Sequence, residues 1–328
     1  MNKYFGTDGF RGKAGIELTA HHSFKIGRYL GWYLRNKIGH ESKRPRVVVG
    51  KDPRLSSYML EYAIASGLAS SGADVYLLHV TTTPSVSYVT TTEGFDLGVM
   101  ITASHNPFTD NGIKIIDKTG QKLSDALAKE IEDYIDDKVS VPFAVSAEIG
   151  RIYDDYAGRN AYIGHLISIA KNSYKGLRVG LDSANGSAFS IARAVFAALG
   201  AQTYSIADTP DGLNVNYECG STHPEALIKL VRDKELDVGF AFDGDADRCI
   251  AIDKNGNIID GDSILYILAE RLRRQGTLRE NKIAATVMSN GGLASSLDEK
   301  GIDVEITKVG DRFVYERMQN MNLSLIIM

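Results

Sequence analysis

The sequence predicts an α/β fold of tandem domains with mixed, largely parallel sheets, and three observations predict it. One local pattern occurs three times, as RPRVVVGKDPR, GLRVGLDSANG and KIAATVMSNGG. After each copy an Ala-rich or Leu-rich helical stretch follows, and a glycine then opens a second strand: GADVYLLHV from Gly72, GAQTYSIA from Gly200 and GIDVEITKV from Gly301. A strand, a helix and a parallel second strand make one βαβ unit, so each copy founds a domain of its own. The 328 residues, 44% of them hydrophobic, also exceed the usual size of one compact domain and can bury more than one core.

Punctuation between the copies sets the expected boundaries. The first domain covers residues 1–150, because Asp136 to Arg151 carries charge, Pro142 and little pattern. The second runs over 151–254, ending where the turn-like Asp253 to Gly256 follows the strand CIAID. The third, 255–328, is short for a full domain, most of which run to roughly 100–150 residues. Its last stretch, Met318 to Met328, reads as an apolar tail without a cap or turn signal, and the fold is expected to continue past it.

Bulk charge narrows the partners. With 37 basic and 41 acidic residues the net charge is −4, so neither nucleic acid nor an anionic membrane is attracted globally, and phosphate binding must be local. The start, MNKYFGTDGFRG, lacks the apolar core of a signal peptide, and no later stretch approaches the roughly 20 apolar residues of a membrane span. A cytoplasmic protein is expected. The two cysteines, Cys219 and Cys249, are expected to stay reduced and take no role.

Three segments carry chemistry. In the first, Gly6, Gly9 and Gly12 stand at intervals of three and permit close backbone approach, and Arg11 brings a planar cation. The spacing is not G-x-G-x-x-G, and the chain has no Walker loop. The second segment is LGVMITASHNPFTDNGIK, Leu97 to Lys114. A buried strand, Leu97 to Thr102, delivers Ser104, His105, Asn106 and Pro107 into a loop at its carboxyl end, where open α/β sheets place ligands. Pro107 disfavours helix at Asn106, which leaves Ser104 outside regular structure. An ordinary Ser-rich turn is the plain alternative. A hydrolase is disfavoured, because Ser104 and His105 are adjacent and no G-x-S-x-G elbow exists.

The third segment is DVGFAFDGDADRCIAID, Asp237 to Asp253. The strand Val238 to Phe242 ends in a tight loop with carboxylates at Asp243, Asp245 and Asp247, and three like charges so close call for a cation. Hard carboxylate oxygens suit Mg²⁺. An EF-hand would need Gly and Glu where Arg248 and Lys254 stand, and a solvated acidic turn is the bland alternative. Arg248 either balances the trio or contacts a phosphate. A phosphatase-like hydrolase is weaker, since no D-x-D-G-T motif is present.

Together these segments resemble the α-D-phosphohexomutases, whose T-A-S-H-N-P serine loop and D-G-D-x-D-R metal loop stand here at Thr102 to Pro107 and Asp243 to Arg248. GTDGFRG at Gly6, CGSTHPE at Cys219, VMSNGGL at Val287 and KVGDRFVYE at Lys308 resemble the family's glucosamine branch rather than its phosphomannomutase and phosphoglucomutase branch. The resemblance spans roughly Lys3 to Arg317 and implies interconversion of glucosamine 6-phosphate and glucosamine 1-phosphate through phospho-Ser104 and a bisphosphate. It implies Mg²⁺ held by Asp243, Asp245, Asp247 and a phospho-Ser104 oxygen, Arg11 and Arg248 as supporting cations, Lys114 as general acid/base and His105 in positioning. A hexose 1,6-bisphosphate or another phosphoryl donor would prime Ser104, and a homodimer is one arrangement it allows. On residues alone, Lys114 reads as a surface lysine at a strand edge. Complete members fold as four domains, with a G-E-x-S-G-H sugar loop in the third and an R-x-S-G-T-type phosphate loop in the fourth. Neither motif occurs in these residues. A non-catalytic phosphoprotein, or a piece needing a partner chain, is therefore the competing expectation.

Overall fold

A computed structural model describes residues 3–6, 9–37, 44–121 and 123–324. Two compact units result, Met1–Cys249 and Ile250–Met328.

The first unit opens with β1 (Phe5–Gly6), β2 (Gly9–Lys13), α1 (Ala20–Lys37), β3 (Arg46–Lys51), α2 (Leu55–Ala69) and β4 (Asp74–Val80). It continues through α3 (Thr83–Thr92), β5 (Leu97–Ile101), β6 (Asp110–Asp117), α4 (Asp125–Ile135) and β7 (Ile152–Asp154). Among the described residues these strands form one seven-stranded sheet in the order β1-β2-β6-β5-β3-β4-β7. Strand β3 pairs in parallel with both β4 and β5, whereas β6 runs antiparallel to β5 and to β2. The β-branched run explains the central position of β3. Val47, Val48 and Val49 are fully buried, each side chain gaining roughly 1.5–3 kcal/mol over exposure. Because β4 lies on one side of β3 and β5 on the other, the strand order reverses at β3, and a crevice forms beyond the carboxyl ends of β3 and β5.

Helices α1 and α2 cross closely because two glycines remove side chains from the contact. A Cβ on Gly27 would stand 2.3 Å from the Ile64 carbonyl oxygen, and one on Gly67 would stand 2.3 Å from that of Phe24. Local signals set helix starts: Thr82 caps α3 by accepting from the Ser85 N–H, and Ser124 caps α4 by accepting from the Leu127 N–H.

The seven-stranded sheet reaches past the expected boundary at residue 150. The outer edge of β4 offers unpaired backbone groups, and β7 takes them up in parallel, with Val75 opposite Ile152. The Asp74 carboxylate accepts from the Arg151 N–H at 2.8 Å, and the Val75 N–H donates to the Arg151 carbonyl at 2.8 Å. These bonds steer the chain into that edge.

The first unit goes on with α5 (Tyr156–Ile169), β8 (Arg178–Asp182), α6 (Ala188–Ala198), β9 (Gln202–Ile206), α7 (Glu225–Asp233) and β10 (Val238–Phe242). Strand β8 pairs in parallel with β9 on one side and β10 on the other, the same reversal seen around β3. Leu227 of α7 packs over Gly180 and Gly239, which leave room for it on β8 and β10.

In the second unit β11 (Cys249–Asp253), which starts on the last residue of the first unit, pairs antiparallel with β12 (Ile258–Ile259). The turn at Asp253 to Gly256 is thus the bend of a hairpin. Next come α8 (Gly261–Arg274), β13 (Lys282–Thr286), α9 (Gly291–Asp298), β14 (Asp303–Thr307) and α10 (Asp311–Asn320). Strands β13 and β14 pair in parallel around α9, as the third copy of the pattern requires. Leu265, Ala269, Ile283, Ala285, Leu293 and Leu297 form this unit's core. The expected apolar tail from Met318 is corrected over its described part. Met318 lies in α10, and Leu323, 3% exposed, packs with Val314 and Ala284, so the apolar residues cover β13. Residues 325–328 lie outside the described residues. No helix among the described residues is long and apolar enough to cross a membrane.

Candidate active site

Ser104 follows β5 at the reversal point of the large sheet. Its backbone is left-handed, φ 53°, a conformation that L side chains rarely adopt and that aims the hydroxyl out of the strand direction. The Ser104 N–H donates to Thr102 Oγ1 at 2.9 Å, and Thr102 Oγ1 donates to the buried Asp52 carboxylate at 2.7 Å. Ser104 is 2% exposed, and its Oγ donates to Asp243 Oδ2 at 2.7 Å. His105 Nδ1 lies 3.4 Å from the same hydroxyl, too long for the tight nucleophile-to-base contact of a triad. Burial first, then the charges of Arg248 and Arg11, lower the His105 pKa, so its imidazole is neutral near pH 7.

The acidic loop follows β10. A left-handed Ala246, φ 57°, folds the alternating carboxylates of Asp243, Asp245 and Asp247 to one place, where one oxygen of each lies within 4.8 Å of the others. Asp243 and Asp245 are buried. Burial, and after it the negative charges of Asp245 and Asp247, push the Asp243 carboxyl up to about 8, against the pull of the Ser104 hydroxyl and the Arg248 N–H. A hard-oxygen donor set under this electrostatic load fits a divalent cation.

Lys114 corrects the reading as a surface lysine. It sits on β6, between β2 and β5, is 4% exposed, and reaches Asp245 Oδ2 at 2.7 Å and Asp247 Oδ2 at 3.0 Å. Arg11 lies on β2 opposite Gly112 of β6, and a Cβ on Gly112 would stand 3.0 Å from its Cγ. Gly9 has φ 89°, and a Cβ there would lie 2.3 Å from the Ile113 carbonyl oxygen, so only glycine serves at that position. Thr7 and Asp8 of the same motif lie outside the described residues. Arg248 donates its backbone N–H to Asp243 Oδ1 at 3.2 Å.

Four site residues escaped the sequence reading. Asp52 and Arg54 end the run KDPR after β3, and charged residues at the carboxyl end of a buried strand were a signal in plain view. Thr83 donates its hydroxyl to Asp245 Oδ2, and Asn216 donates to the Ser104 carbonyl at 2.8 Å. Neither Thr83 nor Asn216 had a local signal, since each is brought in from a distant part of the chain.

Residues 2–141, 160–256 and 260–326 match, in order, the alpha/beta/alpha domains I, II and III of the phosphoglucomutase/phosphomannomutase family. The chain belongs to that family, and so to the isomerases that work by phosphoryl transfer. It is 56% identical over 319 residues to a phosphoglucosamine mutase of Lachnospira eligens, covering 97% of this chain and 70% of that protein. It is 47% identical over 326 residues to a phosphoglucosamine mutase of Streptococcus pneumoniae serotype 2, covering 99% of this chain and 72% of that one. Among solved structures, a phosphoglucomutase/phosphomannomutase family protein from Burkholderia thailandensis is similar with a TM-score of 0.81 at 27% identity, covering 98% of this chain and 70% of that chain. The chain thus spans about 70% of the length of these relatives.

Proposed function

We propose that the protein interconverts glucosamine 6-phosphate and glucosamine 1-phosphate, with Ser104 carrying the phosphoryl group. The observation that carries this reading is the 2.7 Å contact of Ser104 Oγ with Asp243 inside a cluster of three carboxylates. A serine so placed becomes a transfer point once its phosphate meets a cation. Similarity to the mutases of L. eligens and S. pneumoniae supports the sugar.

Ser104 enters the cycle phosphorylated, primed by a hexose 1,6-bisphosphate. A free sugar hydroxyl oxygen attacks the phosphorus, the bond from phosphorus to Ser104 Oγ breaks, and the hydroxyl proton passes to Lys114, which enters the step neutral, while Ser104 Oγ leaves as the alkoxide that attacks in the return step. The resulting bisphosphate turns in the site. Its other phosphoryl group then passes back to Ser104 Oγ, and Lys114 returns the proton to the sugar oxygen released. Asp243, Asp245 and Asp247, with an oxygen of phospho-Ser104, would hold Mg²⁺, which when bound neutralises charge on the moving phosphoryl group. Arg11 and Arg248 add positive charge around the phosphate, and neutral His105 orients the serine loop. Domains at 1–150, 151–254 and 255–328 are proposed as the frame, the first bringing Ser104 and Lys114 and the second the three aspartates.

The test is phosphorus NMR of the purified chain with Mg²⁺, glucosamine 6-phosphate and a trace of hexose 1,6-bisphosphate. Glucosamine 1-phosphate should appear with the native chain and not with Ser104→Ala. A silent spectrum from folded native protein defeats catalysis by this chain alone.

A further inference from the structure

Arg54 is fully buried, and its five N–H donors go to five acceptors. Nε donates to Asp52 Oδ2 at 2.7 Å, one terminal nitrogen donates to the carbonyls of Pro107 and Asp110, and the other donates to those of Ser104 and Asn106 at 2.8 Å each. One guanidinium therefore gathers four main-chain carbonyls of the serine loop. The Ser104 carbonyl is also met by Asn216 Nδ2 at 2.8 Å and by Gly244, where a Cβ would come within 2.6 Å of it. Asp52, which anchors Arg54, also accepts from Thr102 Oγ1, the group that receives the Ser104 N–H. Both sides of the left-handed Ser104 peptide are thereby fixed from the turn between β3 and α2. A buried ion pair adds little stability over an apolar replacement, and its best-attested use is to enforce one arrangement among several.

We propose that Arg54, seated on Asp52 and assisted by Asn216, is a positioning residue that locks the Ser104 backbone in its left-handed conformation and thereby sets the line along which the phosphoryl group travels. The proposal rests on the mutase reading for its catalytic consequence, but the loop order it describes does not. Lysine at position 54 keeps the charge and loses the fork, because an ammonium has three donors and no plane. Glycine at position 216 tolerates the left-handed backbone there, φ 60°, and removes the second donor to the Ser104 carbonyl.

The experiment compares the native chain with Arg54→Lys and Asn216→Gly. Single-turnover phosphorylation of Ser104 by glucose 1,6-bisphosphate with Mg²⁺ is followed by intact mass, and amide hydrogen exchange is read across residues 103–111. Expected is a rate about 100-fold lower in Arg54→Lys at an unchanged half-saturating bisphosphate concentration, as for a misplaced reacting group. Faster exchange confined to 103–111 should accompany it in both variants. Folded variants with native exchange across that loop overturn the proposal, whatever their rates. Should Arg54→Lys fail to fold, Asn216→Gly decides by the same criterion. If the native chain takes up no phosphoryl group while loop exchange still quickens in the variants, the mutase reading falls and the positioning role stands.

Discussion

At the scale of single residues, the site stores electrostatic and conformational cost in the places where it acts. A left-handed non-glycine residue costs roughly 1–3 kcal/mol, and Ser104 is held there by partners on both its amide and its carbonyl. Asp243 carries the electrostatic share. Its folded pKa of about 8 lies far above the ordinary aspartate value of 3.8 that the unfolded chain has, so the folded protein keeps a proton that the unfolded chain releases. The stability this supplies is complete below the unfolded pKa and is lost as pH rises through the folded one. Metal-free protein should therefore be less stable to urea at about pH 8 than at about pH 5, and Asp243→Asn should flatten that slope. Mg²⁺ at a hundred times its Kd should restore about 2.7 kcal/mol to the native chain and nothing to the variant. An Asp243→Asn slope equal to the native one would refute the assignment. The residue types of both loops were legible from T-A-S-H-N-P and D-G-D-A-D-R alone, because both motifs are contiguous. Their conformation was not, because the Ser104 backbone is held by Asp52, Arg54 and Asn216, and a hydrogen bond to a residue 112 positions away leaves no local trace.

At the scale of elements, packing rests on glycines and a few charged anchors. Gly67→Ala would place a methyl group against the Phe24 carbonyl at the crossing of α1 and α2, and overpacking of this kind costs about 1–3 kcal/mol. Urea unfolding should show that loss, and a neutral result would mean the two helices can separate freely. On α4, Glu132 accepts the backbone N–H groups of Lys3, Tyr4 and Phe5 at 2.9, 2.6 and 3.0 Å. Burial pushes its pKa up, but the three amides outweigh burial and the net shift is downward. A depressed carboxylate stabilises the fold above its unfolded pKa, and that contribution disappears as pH falls through the folded one. Glu132→Gln should weaken the protein near neutral pH and remove this part of its acid sensitivity, read as the difference in unfolding midpoint between neutral and acid solution. The strands themselves were readable from their β-branched runs. The place of β7 was not, because a three-residue strand carries too short a pattern, and only the open edge of β4 recruits it.

At the scale of the whole molecule, two units carry separate cores. The proposed phosphoryl chemistry draws its residues from Arg11 to Arg248, all within the first unit. Leu297, fully buried in the second unit, can therefore be cut back to alanine at a cost of about 2–5 kcal/mol to that unit. Urea unfolding should show that loss, with single-turnover phosphorylation of Ser104 by the folded variant unchanged. Loss of phosphorylation in that variant would show that the second unit takes part in the transfer step.

By itself the sequence determined the βαβ repeat, the two chemical loops and the family, since each is written in neighbouring residues whose periodicity and side-chain chemistry need no distant partner. Only the tertiary structure decided that Lys114 is buried against two carboxylates, that Ser104 Oγ meets Asp243 across 139 positions, and that Arg54 binds the serine loop from the turn between β3 and α2. The physical reason is the reach of the forces involved. Hydrophobic periodicity and turn chemistry act over a few residues, whereas burial and charge pairing depend on which strand ends the fold places side by side.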